Sequence, residues 1–111
     1  MINIYNLVHF DEFVTHLEDI YEYIAFELCD MLNGMRIYNK IWQATESLKI
    51  FPNRGALLHK NSNTLPKYRQ RFVENYTIIY YVEGDTVYIV DILYSASDIA
   101  SKFEGEVNGN F

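Results

Sequence analysis

The stretch from Tyr68 to Asp98, YRQRFVENYTIIYYVEGDTVYIVDILYSASD, limits what this chain can fold into more than any other part of it. Apolar and aromatic residues fill three blocks, and two polar pairs, Glu74-Asn75 and Gly84-Asp85, separate them. A two-residue Gly-Asp connection between apolar runs favours a primed hairpin turn, because glycine accepts positive φ at little cost. Glu74-Asn75 reads as a second tight turn, since asparagine tolerates the left-handed region. Three antiparallel strands result. Counting back from Gly84-Asp85 pairs Tyr81 with Tyr88, Ile79 with Val90 and Thr77 with Ile92, which sets Tyr94 on the face of Thr77.

Upstream, the period changes. Ile2 and Ile4, with Leu7 and Val8 beyond them, suggest an opening strand. Asp11 suits an N-cap, and Glu12 suits the positive end of the helix it starts. Phe13, Leu17, Ile20, Ile24 and Leu28 then recur at three- and four-residue spacing, an apolar stripe with Glu18, Asp19, Glu22 and Glu27 opposite. Asn33-Gly34 either breaks this helix or lies inside a second one that starts near Asp30. The second helix carries Ile37, Ile41, Ala44 and Leu48 on one stripe, with Lys49 in its last turn. Phe51-Pro52-Asn53-Arg54-Gly55 ends it, since proline cannot continue the ladder and restricts the residue before it. Residues 56–67 form a polar connection whose Asn-Ser-Asn-Thr run suggests a loop. The expected fold is α+β: an N-terminal strand, a two-helix hairpin and a three-stranded antiparallel meander. It occupies one domain over residues 1–103, with a polar tail at 104–111.

A chain of 111 residues, half of them hydrophobic, supports a single core. No apolar run approaches the roughly 18 residues that span a bilayer, and the start lacks the basic-then-apolar order of a signal sequence. The lone Cys29, among Phe26, Leu28 and Met31, reads as a buried packing group, and a cytoplasmic, reducing location is expected. The net charge of −6 argues against general nucleic-acid binding. That charge is unevenly spread: residues 47–73 contain no Asp or Glu, only Lys49, Arg54, Lys60, Lys67, Arg69 and Arg71. This cationic centre either faces an anionic partner or neutralises the acidic helices of the same molecule. His9 and His16 have no third ligand at metal-site spacing, and glycine-rich phosphate loops, Ser–His–Asp signatures and CxxC pairs are missing from the sequence. Neither a metal nor a cofactor is expected.

In order along the chain, Leu48, Phe51, Pro52 and Gly55, then Tyr68-Arg69, Asn75-Tyr76, the apolar hairpin and Ile92-Leu93-Tyr94 resemble the RelE/ParE toxins of bacterial type II toxin–antitoxin systems. The resemblance spans most of the chain and implies a growth-inhibiting toxin neutralised by an antitoxin protein that wraps an extended or helical segment across it. It also implies a target. RelE-like members cleave ribosome-bound mRNA, which requires a general base, cations for the phosphorane-like transition state and an acid for the leaving oxygen. For that chemistry the resemblance nominates Arg69 and Tyr94 as catalytic, with Lys60, Lys67 and Arg71 as substrate-binding residues. As plain structural groups, Arg69 and Arg71 would instead pair with sheet carboxylates such as Asp91, and Tyr94 would cap the core with its ring. Thr77 stands where RelE-like members often carry an arginine, and Ser95-Ala96-Ser97 replaces their basic ending. Uncharged hydroxyls cannot supply an arginine's electrostatic stabilisation. The expectation therefore leans to ParE-like members, which act on DNA gyrase through protein contacts. An mRNA endoribonuclease and a non-toxic binding module stand as the alternatives.

Overall fold

A computed structural model describes residues 3–59 and 65–103. The element order is β1 (Asn6–His9), α1 (Asp11–Glu22), α2 (Met31–Ser47), a 3-10 turn (Pro52–Arg54), β2 (Ala56–Leu57), β3 (Arg69–Val73), β4 (Tyr76–Glu83), β5 (Thr86–Tyr94) and α3 (Ile99–Lys102). The strands form one mixed sheet in the order β1-β5-β4-β3-β2, with β1 parallel to β5 and the other pairs antiparallel. The α+β expectation therefore holds. It gains a two-residue strand, β2, from the segment expected to be a connection. The Asn-Ser-Asn-Thr run, Lys60, Ile2 and the 104–111 tail lie outside the described residues.

The helical hairpin forms the core with one face of the sheet. Phe13, Leu17 and Ile24 meet Ile37, Ile41, Ala44 and Leu48, and both sets pack on Val73, Ile78, Tyr80, Val87, Ile89 and Ile92. Burying a side chain of this kind contributes about 1.5–3 kcal/mol. The opposite sheet face carries a row of rings, Phe10, Tyr88, Tyr81 and Tyr68, which ends on Phe103 beside α3.

Several local expectations need correction. Asp11 is the first helical residue and not the cap; the extended cap is Phe10, whose amide donates to the Ile89 carbonyl and so keeps it in the sheet. The end of the first stripe also departs from a regular helix. A wide π turn over Tyr23–Glu27 follows α1, and Leu28 beyond it is 56% exposed. Cys29 is exposed as well, at a φ of 54° between the helices, so it is not a packing group. Of the two readings of Asn33-Gly34, the interior glycine is correct. The Asp30 carboxylate accepts from the Asn33 amide at 3.1 Å to cap α2. Gly34 sits inside α2, where an added Cβ would meet Tyr21 and Ala25 at 3.3–3.4 Å. The Glu74-Asn75 turn forms, but Glu74 and not the asparagine takes positive φ, at 52°.

Gly84 has a φ of 62° in the second turn, and Tyr81 pairs with Tyr88 as expected. Further from that turn the register slips. An irregularity beside Ile79 and Tyr80 leaves Val90 without an opposite residue, so Ile79 meets Asp91, Thr77 meets Leu93 and Tyr94 meets Tyr76. A slip of one residue reverses faces. Tyr94 consequently lies on the helix side of the sheet, opposite to Thr77, which is fully buried with its hydroxyl 2.7 Å from the Ser95 hydroxyl.

Candidate functional site

The cationic centre folds around one buried phenol. Tyr80 is fully buried in β4. Its hydroxyl donates to the Pro52 carbonyl at 2.6 Å and accepts from the Gly55 amide at 3.0 Å, clamping the turn that follows α2 onto the sheet. Burial pushes the phenol above the ordinary tyrosine range, opposed by the Gly55 amide and by the nearby charges of Arg69, Arg54 and Arg71. Three guanidinium groups thus lie near enough to act on one phenol.

They are held differently. Arg69 Nη1 donates to the carbonyls of Asn53 at 3.0 Å and Gly55 at 2.7 Å, fixing the same turn that Tyr80 grips. Arg54 donates to the Ser47 hydroxyl on α2. Arg71 Nε is shut off from solvent and has no hydrogen-bond partner among the described residues. None of the three forms an ion pair among those residues. Asp91, the carboxylate considered for them, faces His16 instead, with Oδ1 2.5 Å from Nδ1, and also accepts from the Ile92 amide.

Beside Arg71 runs an open groove of about 350 Å³ between α2 and β3, lined by Lys40, Gln43, Ser47, Arg71, Phe72 and Glu74 among others. Glu74 closes one end. Arg36 grips it through two bonds, at 2.6 and 3.2 Å, and Lys40 adds a third at 2.9 Å. These bonds, Arg36's first, hold the Glu74 carboxyl down at about 2. The charge in the left-handed turn is therefore fixed in place by two bases four residues apart on α2.

The expected site residues do not converge. Arg69 stands opposite Tyr80 and Tyr94 opposite Tyr76, on the two strands that flank β4. Four residues of strand, about 13 Å, and two strand spacings of about 4.8 Å keep them beyond hydrogen-bond reach. Tyr94 is 54% exposed, with its ring edge-on to Tyr76. Lys67 lies ahead of β3, and Lys60 falls outside the described residues. Among the described residues no cluster of three His, Cys, Asp or Glu side chains is suited to a metal. No helix of the described residues is long and apolar enough to cross a membrane.

The sequence reading missed the Tyr80 clamp and the Arg36–Glu74–Lys40 cluster. The i,i+4 spacing of Arg36 and Lys40 was a visible signal, but their acidic partner lies 38 and 34 residues away. At the tip of the helical hairpin, Phe26, Leu28 and Met31, the surroundings expected to bury Cys29, are exposed together with Leu32 and Met35.

Comparison with known proteins adds an independent line. A family model described as the ParE toxin of type II toxin–antitoxin system, parDE, matches residues 11–99. Among solved structures, a chain described as the chromosomal ParDE TA system from P. aeruginosa aligns with a TM-score of 0.67 at 19% identity. The alignment covers 83% of this chain and 97% of that one, a likeness of fold. No curated protein matches the chain.

Proposed function

This chain belongs to the ParE toxin family of type II toxin–antitoxin systems, and from that premise we propose that it arrests growth by binding a protein target, DNA gyrase, and not by cutting RNA. The family implies an antitoxin as its partner. One observation carries the choice of target class: the Arg69 guanidinium, the best nuclease candidate, is engaged by the backbone carbonyls of Asn53 and Gly55. A cation held on its own turn is poorly placed to stabilise an approaching phosphorane. The separation of Tyr94 from Arg69 favours the same reading. The exposed apolar tip of the helical hairpin offers protein-contact surface, since contiguous exposed apolar side chains mark interaction sites.

Induced expression with parallel readouts tests the proposal. Growth arrest is expected with an SOS response and intact mRNA, and the purified protein should inhibit DNA supercoiling by gyrase. Tyr94→Phe should leave that inhibition unchanged. Ribosome-dependent mRNA cleavage that Arg69→Ala or Tyr94→Phe abolishes would overturn the proposal in favour of an endoribonuclease. Expression without any arrest would assign the chain to the non-toxic binding modules.

A further inference from the structure

We infer that the groove between α1 and α2, walled by Tyr21 and Tyr38 and rimmed by Glu18 and Glu22, binds a small aliphatic diamine or polyamine. The site shares no residue with the Tyr80 clamp or with the cluster around Glu74.

Helix packing sets its walls. Gly34 lets α2 close on α1: a Cβ there would lie 3.3 Å from Tyr21 Cδ1 and 3.3 Å from the Tyr21 carbonyl oxygen. The Tyr21 ring is thereby brought beside α2, edge-on to Tyr38 with ring centroids 6.1 Å apart. Each ring has a second edge-on neighbour at 6.3 Å, Phe26 for Tyr21 and Trp42 for Tyr38. Both rings are held before any ligand arrives, which limits the ordering cost of binding. Met35 and Asn39 on α2 complete an open groove of about 520 Å³. That volume, with mostly apolar walls and a few polar groups, falls in the range of small-molecule sites.

Charge selects the occupant. Glu18 and Glu22 are four residues apart on α1, so both carboxylates line one side of the groove. Residues 17–30 hold five acids, Glu18, Asp19, Glu22, Glu27 and Asp30, and no base. Residues 1–46 contain one arginine and one lysine, Arg36 and Lys40, and both are bound to Glu74. His16, two positions before Glu18, faces Asp91. Among the described residues neither Glu18 nor Glu22 forms an ion pair. A cation from another molecule is their complement.

Spacing then gives the shape of that cation. Side chains at i and i+4 have Cβ atoms about 5–6 Å apart, a separation that two amines on a short methylene chain match. A lone ammonium answers one carboxylate only. The methylenes between the amines suit Met35 and the tyrosine rings, whose negative faces also attract the ammonium groups. The Asn39 side-chain carbonyl accepts a further N–H. A divalent metal ion matches the charge but makes no use of the apolar walls, and among the described residues no three His, Cys, Asp or Glu side chains gather to hold one.

The test uses the full-length ¹⁵N-labelled protein and follows the amide signals of Tyr21, Tyr38 and Asn39. The probes are 1,4-diaminobutane, its uncharged counterpart 1,4-butanediol, n-butylammonium, Mg²⁺ and a blocked hexapeptide of alternating Lys and Val. The diamine should shift all three signals to saturation and bind more tightly than every other probe. Glu18→Gln and Glu22→Gln should each weaken it about threefold, the loss expected for an exposed ion pair. Glu27→Gln makes the same change in net charge outside the groove and should leave binding unchanged. Tyr38→Leu keeps an apolar wall and should also cost about threefold, through the lost ring face. If that variant fails to fold, the two glutamine substitutions at exposed positions still decide. Absence of a shift with the diamine, or equal binding of butanediol, refutes the site. Butylammonium bound as tightly would refute the pairing with two carboxylates. Equal losses from Glu27→Gln and Glu22→Gln would overturn the site in favour of diffuse attraction to an acidic surface. Mg²⁺ moving the same signals as tightly would overturn it in favour of a metal ion, and tighter binding of the peptide in favour of a basic protein segment.

Discussion

Tyr80→Phe isolates the clamp on which the cationic centre is built. The substitution keeps the ring, so the core around Ile78 and Ile89 retains its volume and the fully buried position stays filled. It removes the oxygen that donates to Pro52 at 2.6 Å and accepts from Gly55 at 3.0 Å. Two backbone groups lose their partner at once. A buried polar group left unsatisfied costs about 1–3 kcal/mol, and easing the phenol's own desolvation offsets part of this, giving a net loss of about 3 kcal/mol. With an m-value of about 1.5 kcal/mol/M in urea, the unfolding midpoint should fall by about 2 M. Tyr81→Phe, at a half-buried ring on the other face, is the control and should cost less than about 0.5 kcal/mol. Gly55→Ala is expected to be similarly damaging, because its Cβ would collide with the Tyr80 hydroxyl and lie 2.8 Å from the Gln70 carbonyl. The two effects should not add. Phenylalanine removes one of the atoms that the new Cβ strikes, so the double variant should lose less than the sum of the single losses. A Tyr80→Phe midpoint within experimental error of wild type would refute the clamp.

Two pH effects follow from the remaining polar contacts. The folded Glu74 carboxyl sits at about 2 against an ordinary 4.5, so its stabilising contribution is complete above about pH 4.5 and is lost as pH falls towards 2. Glu74→Gln should flatten acid unfolding in that window, and because the cluster is exposed, about 1 M salt should shrink the difference. His9 goes the same way with pH for a different reason: burial lowers its imidazole below the usual 6.5, outweighing Glu46, which raises it, while Lys49 lowers it further. The Thr45 hydroxyl donates to the Trp42 carbonyl and so accepts from His9 Nε2 at 3.1 Å, which defines the neutral tautomer. The unfolded chain binds the proton more readily, so this contribution is present above pH 6.5 and declines below it. Urea midpoints of wild type and His9→Gln between pH 5 and 8 should diverge in that sense, and an NMR titration of His9 above 6.5 would contradict it.

The parts of the fold that were legible in the sequence are those that local chemistry determines. Period-two alternation and Gly84-Asp85 placed β4 and β5, and period 3.6 placed the two helices, although α2 ends at Ser47, short of the Lys49 expected in its last turn. What was misread depends on partners remote in sequence. The Val90 irregularity lies 11 residues from Ile79 and carries no residue signature, yet it moves Tyr94 to the other face. Gly34 looks like a helix breaker until Tyr21 and Ala25 are seen against it. β2 is two residues long and exists because β3 offers it an edge.

The site was harder to read for a related reason. Sequence shows which side chains carry charge but not which backbone carbonyls will meet them. Arg69 looked like a free cation because its acceptors, the carbonyls of Asn53 and Gly55, belong to no residue type. Arg71, two positions on, carried the same signal and met the opposite outcome, with Nε buried and unmet. The difference lies in reach: Arg69 stands beside the turn that Tyr80 pins to the sheet, and Arg71 stands past the end of β2, where no described residue supplies an acceptor to its Nε. One arginine of the pair completes the fold, and the other keeps a buried donor that no described residue meets.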